Sequence, residues 1–210
     1  MILTSEDIAK EEKVRRLNLI NSITGIKPAN LLGTVDKKNQ SNLAIFSSVV
    51  HLGSFPPLLG FVMRPNTEVR RHTYENMMEN DGYYTINHVH PDFMGQAHYT
   101  SAKFEKDESE FEFCNFNEEY IEGFAAPFVK ESSIKIGMKF VEELPIKING
   151  TILMIGEVKL ISIPDEILDD HFQVDLSTTS SGISGLNRYY SLQKQAEFPY
   201  ARRQKVPDFK

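Results

Sequence analysis

Two short segments of the chain combine residue types that could bind a ligand containing both a ring system and a phosphate. Residues 41–48, Ser-Asn-Leu-Ala-Ile-Phe-Ser-Ser, place amide, hydroxyl and aromatic groups on an otherwise apolar strand. Residues 70–73, Arg-Arg-His-Thr, gather donors just ahead of a predicted helix start. Free backbone N–H groups and the helix dipole favour an anion at such a start.

Both segments also have structural explanations. The two arginines could form surface ion pairs with Glu68 and Glu75 in a solvated loop. Polar side chains beside a turn often satisfy local backbone groups, an explanation that applies to Asn42, Ser47 and Ser48. The residues alone leave these alternatives open.

Other signatures of chemistry are missing from the sequence. Neither G-x-G-x-x-G nor G-x-x-x-x-G-K-[ST] occurs, and there is no G-x-S-x-G nucleophile elbow. His88 and His90 are spaced to share one face of a strand, but no acidic partner accompanies them, so structural or surface roles are favoured over a metal site. Any phosphate site must therefore be built from side chains, and we assign no catalytic side chain.

Composition limits the class of protein. The 210 residues fit one domain with a sizeable core, and 40% hydrophobic with 25% charged residues is ordinary for a globular protein. The net charge of −6 argues against a broad nucleic-acid surface. A single Cys114 excludes an internal disulfide, and no apolar run reaches the length of a membrane span, so we expect a cytoplasmic protein.

Turn residues divide the chain into short apolar segments that predict a mostly β, antiparallel fold with a few short helices. The capping-box spacing of residues 4–7 predicts an N-terminal helix within residues 1–18. Further helices are predicted at 73–80, with Thr73 as N-cap and Met77 and Met78 facing the core, and at 91–99. The stretch 103–119 reads as a loop that forms a lid or a subunit contact, and 196–210 as a tail.

The predicted strands are residues 19–26, 30–35, 42–50, 57–64, 83–89, 124–135, 138–148 and 151–163. The last two are joined by Asn149-Gly150, a strong hairpin signal. Seven or so strands with short helices favour a closed barrel in a single domain spanning residues 1–210.

An ordered series of motifs resembles the flavin reductase-like family of FMN-binding split-barrel proteins over about residues 20 to 195. The motifs are residues 22–34 (SITGIKPANLLGT), 42–48 (NLAIFSS), Pro56-Pro57, 72–76 (HTYEN) and 84–87 (YTIN). Later stretches that are also similar are 101–113, 155–158 (IGEV) and 185–190 (GLNRYY).

The resemblance implies a split β-barrel, antiparallel and of Greek-key type, that binds FMN non-covalently and forms a homodimer with the flavin near the subunit interface. The residues that it implies for the ring and ribityl chain are Asn42, Phe46, Ser47 and Ser48. Those that it implies for the phosphate are Arg71, His72 and Thr73, with Arg64 and Lys27 as further candidates. The family often has Lys-Asp-Thr at residues 71–73, so this chain keeps a cation and replaces the carboxylate with an imidazole.

We therefore expect an FMN-dependent reductase that passes a hydride from NADH or NADPH to the flavin. The alternative is an FMN-binding electron carrier, store or sensor without nicotinamide-dependent activity. The expected partners are small-molecule nicotinamide and flavin and a second copy of the chain, with no nucleic acid and no membrane.

Overall fold

The N-terminal segment forms two helices rather than one. The computed structural model describes residues 1–66 and 69–209, so Glu68, considered above as an ion-pair partner, and Lys210, the last residue of the tail, lie outside the described residues. Helix α1 is Ser5–Lys10, capped by Thr4 as predicted, and α2 is Lys13–Ser22. The carboxylate of Glu12 starts α2 by accepting the backbone N–H groups of Val14 and Arg15. The predicted strand at 19–26 is therefore wrong: residues 19–22 belong to α2, and residues 23–26 lie outside any strand, before β1.

Strands dominate the remainder, with 34% of the chain in strand and 21% in helix, which confirms the mostly β prediction. The strands are β1 Lys27–Pro28, β2 Asn30–Val35, β3 Ser41–Phe46, β4 Val50–Ser54, β5 Pro57–Met63, β6 Tyr83–His88, β7 Glu118–Glu119, β8 Phe128–Val129, β9 Lys135–Ile146, β10 Thr151–Ser162, β11 Ser181–Ser184 and β12 Arg188–Ser191. The further helices are α3 His72–Glu79, α4 Met94–Tyr99 and α5 Glu110–Phe113.

Seven antiparallel strands form the main sheet in the order β3-β2-β6-β9-β10-β5-β4. Although β3 and β5 lie towards opposite ends of this order, the rings of Phe46 and Phe61 meet edge to face at 5.1 Å between centroids. The sheet must therefore curl until its two ends approach, which makes a barrel that is split between β3 and β4. The interior contains buried side chains from strands around the sheet, including Leu32, Phe61, Tyr84, Met138 and Met154.

A second core covers the outer face of β2 and β3. It contains Phe93 and Ala97 near or within α4, Phe111 of α5 and the adjacent Phe116, packed with Leu31 and Leu43. Residues 109–116 thus pack against the body of the chain instead of standing away from it as a lid.

The predicted strand 124–135 is wrong except for the two residues of β8 and the first residue of β9. In addition to the two-residue pairing of β8 with β7, its backbone bonds to side chains of β6. The hydroxyl of Thr85 donates to the carbonyl of Pro127 at 2.6 Å, and Asn87 Oδ1 accepts the N–H of Val129 at 3.0 Å. Apolar composition indicated burial here correctly, but it carries no information about the backbone's partners.

The predicted hairpin and the predicted tail are both found in the structure. Strands β9 and β10 pair across the turn at Asn149-Gly150, where Gly150 has φ +72°, which confirms the hairpin. A separate sheet has the order β1-β11-β12, and residues 193–209 are exposed, with a short 3₁₀ turn at 203–205. Among the described residues, no helix combines the length and the apolar character needed to cross a bilayer.

Candidate functional site

The barrel seam, formed by residues 46–48 and 61–65, brings the end of β3 against β5. Phe46 is half-buried and packs on Phe61. The hydroxyl of Ser48 accepts the backbone N–H of Val62 at 3.0 Å and donates to its carbonyl at 3.2 Å. Ser48 therefore bridges the two edges of the barrel, the kind of backbone-satisfying role that the sequence left open for it.

Ser47 lies next to this bridge but has a different environment. It is half-buried, and among the described residues its hydroxyl has no hydrogen-bond partner. Its hydroxyl is thus available to a ligand at the seam, whereas that of Ser48 is already engaged.

Asn42 and Thr73 meet in a buried polar cluster, defined by Thr34, Asn42, Thr73 and Asn76. The amide of Asn42 donates to the hydroxyls of Thr73 at 3.3 Å and Thr34 at 3.4 Å, and Asn76 donates to Thr34 at 3.3 Å. These contacts fasten the first turns of α3 to β2 and β3. The structure therefore unites two of the sequence-predicted residues, with their side chains bonded to each other.

Helix α3 begins earlier than predicted. Arg71 occupies the N-cap position with extended backbone, and no side chain caps the helix. The prediction of Thr73 as N-cap is wrong because its hydroxyl points into the buried polar cluster and accepts from Asn42. Of the two methionines predicted to face the core, Met77 is buried but Met78 is exposed. The first turn of α3 is left with uncapped N–H groups, an arrangement that attracts anions.

The arginines near this helix start differ in their partners. Arg70 is ion-paired with Glu75 through two contacts, at 2.9 and 2.6 Å, as the alternative explanation from the sequence proposed. Arg71 is half-buried and its Nε donates to the carbonyl of Pro65 at 3.2 Å. Burial lowers the pKa of Arg71, and the charge of nearby Arg64 lowers it further.

Arg64 and Arg71 therefore form a pair of like charges. Within residues 1–66 and 69–209, neither guanidinium has a carboxylate partner. Two cations that repel each other beside uncapped helix N–H groups would be stabilised by a bound dianion, and guanidinium groups suit the geometry of a phosphate. His72 is half-buried beside them; burial, its main perturbation, lowers its pKa, so near pH 7 the imidazole is a neutral donor or acceptor.

Lys27 does not lie beside Arg71 and the start of α3. It adjoins the start of β2, whereas Thr34, which contacts Asn42 and Asn76, lies near the end of that strand. Its Nζ donates to the carbonyls of Asn21 at 2.9 Å and Gly185 at 3.4 Å. The phosphate candidates are thereby reduced to Arg64, Arg71 and the first turn of α3.

Two surface cavities lie away from the seam. One of about 150 Å³ is lined by Lys27, His88 and Ser180, and one of about 580 Å³ lies between residues 166–177 and 192–197. His88 is half-buried, its Nδ1 lies 2.8 Å from the hydroxyl of Ser180, and desolvation lowers its pKa to about 4. Among the described residues no group of three or more His, Cys, Asp or Glu side chains could hold a metal ion.

Glu110 is a buried acid behind β3 that no sequence pattern distinguishes from its charged neighbours. Its carboxylate accepts the backbone N–H of Leu43 at 2.9 Å, and burial raises its pKa to about 7. Its neighbours Phe111, Cys114 and Phe116 are all buried, so Glu110 lies beside an apolar face that the structure reveals and the run of acids in the sequence does not.

Comparison with known proteins gives a family and a fold. Residues 26–176 match the model of the flavin reductase like domain. A Shewanella frigidimarina NCIMB 400 protein with a split barrel domain, assigned to the flavin reductases, is 45% identical, with a TM-score of 0.91, over 96% of this chain and 100% of that chain. No match is found among curated proteins.

More distant solved structures share the fold alone. Nitrilotriacetate monooxygenase component B from Bacillus cereus has a TM-score of 0.80 at 17% identity, with 94% of this chain and 99% of that chain covered. Flavoredoxin of Desulfovibrio vulgaris (Miyazaki F) has a TM-score of 0.72 at 20% identity, with 84% and 92% covered. The split-barrel expectation is thereby confirmed.

Proposed function

This chain belongs to the flavin reductase-like domain family, and on that premise we propose that it binds FMN non-covalently and passes a hydride from NADH or NADPH to the flavin. A flavin-related role follows from the family, and the choice of FMN and of a nicotinamide reductant is our proposal. The single observation that carries the choice of FMN is the Arg64–Arg71 pair.

That pair fits a phosphate better than it fits a structural role. Arg70, the preceding residue, is ion-paired with the carboxylate of Glu75. The chain therefore supplies an acid to the arginine that forms an ion pair in this region. Arg71 instead loses hydration on burial without an acid among the described residues. Riboflavin lacks the group that would compensate this charge, and FMN carries it.

The seam supplies the surface for the ring. We assign Phe46 as its apolar contact and Ser47 as a hydrogen-bonding group, because the first is half-buried and the second has no partner within the described residues. Ser48 and Asn42 hold the seam and α3 in place, and His72 and Thr73 position the first turn of α3 around the phosphate.

When bound, the flavin itself supplies the hydride chemistry. The chain binds it, orients it and keeps water from one side, so no acid or base need stand out among the side chains. We further propose a cytoplasmic homodimer in which the second copy covers the exposed face of the ligand. Helix α2 supports this because it buries none of its residues, and Val14, Leu17 and Ile20 are exposed.

The test is anaerobic reduction of the FMN-loaded protein. FMN is added to the purified protein, free flavin is removed, and the absorbance near 450 nm is followed after mixing with NADH or NADPH. Bleaching by at least one nucleotide, faster than that of free FMN, is expected. A yellow protein that neither nucleotide bleaches would instead be a flavin carrier, store or sensor. A protein that binds no flavin, either in this preparation or in a titration with FMN, would refute both functions.

A further inference from the structure

Strand β3 carries two candidate site residues, Asn42 and Phe46, and leads into Ser47, but it has a strand neighbour on only one side. It is the end strand of the main sheet and pairs with β2 alone. Backbone N–H groups on its other side therefore need partners that are not strands.

Residues 109–118 contact this edge at two places, once at a backbone N–H group and once at a side chain. The carboxylate of Glu110, whose side chain is buried with the residue 5% exposed, accepts the N–H of Leu43 at 2.9 Å. At the start of the strand, the hydroxyl of Ser41 lies 2.8 Å from that of Ser109 and donates to Glu118 at 2.5 Å. Two adjoining points of the strand edge are thus held by one segment.

An acid is a costly choice for this position. Glu110 forms no ion pair among the described residues, and the like charge of Glu108 adds to the rise in its pKa that burial causes. The surrounding Phe111 and Cys114 belong to an apolar core, where an apolar side chain would avoid the loss of hydration. What an apolar side chain could not do is accept the N–H of Leu43.

We propose that Glu110 is a positioning residue that takes the place of a neighbouring strand and holds β3, whose Asn42 fastens α3 and whose end presents Phe46 and the following Ser47 to FMN. This role rests on the proposed function as far as FMN is concerned. The hydrogen bond to the strand edge is independent of it. Glu110 does not touch the ligand; it acts through Leu43, which lies beside Asn42 in the chain.

The test compares two substitutions that both remove the charge. Glu110→Gln keeps an acceptor of the same shape, and Glu110→Met keeps the length but has none. Glu112→Met, on the exposed side of the same helix, is the matched control. Hydrogen exchange of the peptide containing Leu43 is measured without flavin at about pH 6, and FMN affinity is measured by quenching of flavin fluorescence.

Glu110→Met is expected to exchange faster at Leu43 and to bind FMN about three- to ten-fold more weakly, the factor of one hydrogen bond. In Glu110→Gln, the exchange at Leu43 and the FMN affinity should both equal the wild-type values at that pH. A general loss of packing would not produce this difference between the two variants. Equal FMN affinity for the two variants overturns the positioning role. Equal hydrogen exchange at Leu43 in the two variants overturns the hydrogen bond itself, independently of the FMN affinities.

Failure of the proposed function is recognisable separately. If the wild type binds no FMN but the two variants still differ in exchange at Leu43, the strand contact stands and its link to flavin is refuted. A wild type that binds FMN while Glu112→Met behaves like Glu110→Met refutes the assignment to Glu110.

Discussion

Substitution of Glu110 by Gln should make the protein more stable at pH 8 than the wild type, while changing its stability much less near pH 4.5. Burial raises the pKa of Glu110 to about 7 from an ordinary 4.5. Between these values the folded state holds a proton that the unfolded state releases, so stability falls as the pH rises through this window and levels off above about pH 7. Gln resembles the protonated form at every pH and escapes this loss.

The size of the effect follows from the two pKa values. At about 1.36 kcal/mol per pH unit, a rise from 4.5 to about 7 corresponds to about 3 kcal/mol of unfolding free energy. The difference between Glu110→Gln and wild type should therefore grow by about 3 kcal/mol from pH 4.5 to pH 8. Glu112→Gln, an exposed neighbour on the same helix, should show no such growth.

Urea unfolding followed by circular dichroism, at one protein concentration and at four pH values from 4.5 to 8, measures this difference. The wild-type curve should carry the pH dependence and the Glu110→Gln curve should lack that part of it. A difference that stays constant over the range would mean that Glu110 titrates at its ordinary pKa, and the burial argument would be refuted.

The other predictions concern the ligand, the seam and assembly. Arg71→Ala should weaken FMN binding about ten- to hundred-fold, from loss of a charge-assisted contact, and leave riboflavin affinity unchanged in calorimetry. Arg70→Ala should change FMN affinity less than about three-fold because that guanidinium is paired already; equal losses would contradict the assignment. Ser48→Ala should lower the unfolding free energy by about 1–2 kcal/mol, because it leaves the N–H and the carbonyl of Val62 without their hydrogen-bond partner at the seam. Ser47→Ala should change the unfolding free energy by less than about 0.5 kcal/mol. Urea unfolding measures both differences. Light scattering of the FMN-loaded protein should give twice the chain mass of 24.0 kDa, and a particle of one chain would count against the homodimer.

How far the fold could be predicted depends on whether a segment's pattern fixes its partners. Residues 30–35 alternate between two buried faces and are flanked by turns, and β2 has the predicted bounds. Residues 19–22 were predicted to start a strand, yet they form the end of α2, the helix that begins after the cap at Glu12. Local composition cannot reveal that the backbone of 127–129 bonds to the side chains of Thr85 and Asn87.

In the candidate site, too, the sequence predicts some features and leaves others to the structure. The residues assigned to it come from the resemblance to the family, and their roles in binding FMN stay predictions. Which guanidinium is neutralised was not predictable, since Arg70 and Arg71 are identical neighbours in sequence and only Arg70 faces Glu75. Glu110 is hidden in a run of acids because burial depends on the fold around it.

The buried polar cluster of Thr34, Asn42, Thr73 and Asn76 has a consequence for the kinetics of ligand exchange. These side chains fasten α3 to the sheet through the chain's own hydrogen bonds, so the end of the helix that we propose to bind the phosphate does not depend on a ligand for its position. Association then requires no folding or ordering step, and the free energy of contact is not reduced by the entropy of assembling that end. Differences in affinity among phosphate-site variants should accordingly appear in the dissociation rate, with association rates nearly constant. The dissociation rate of the cofactor would then set the rate at which it is exchanged.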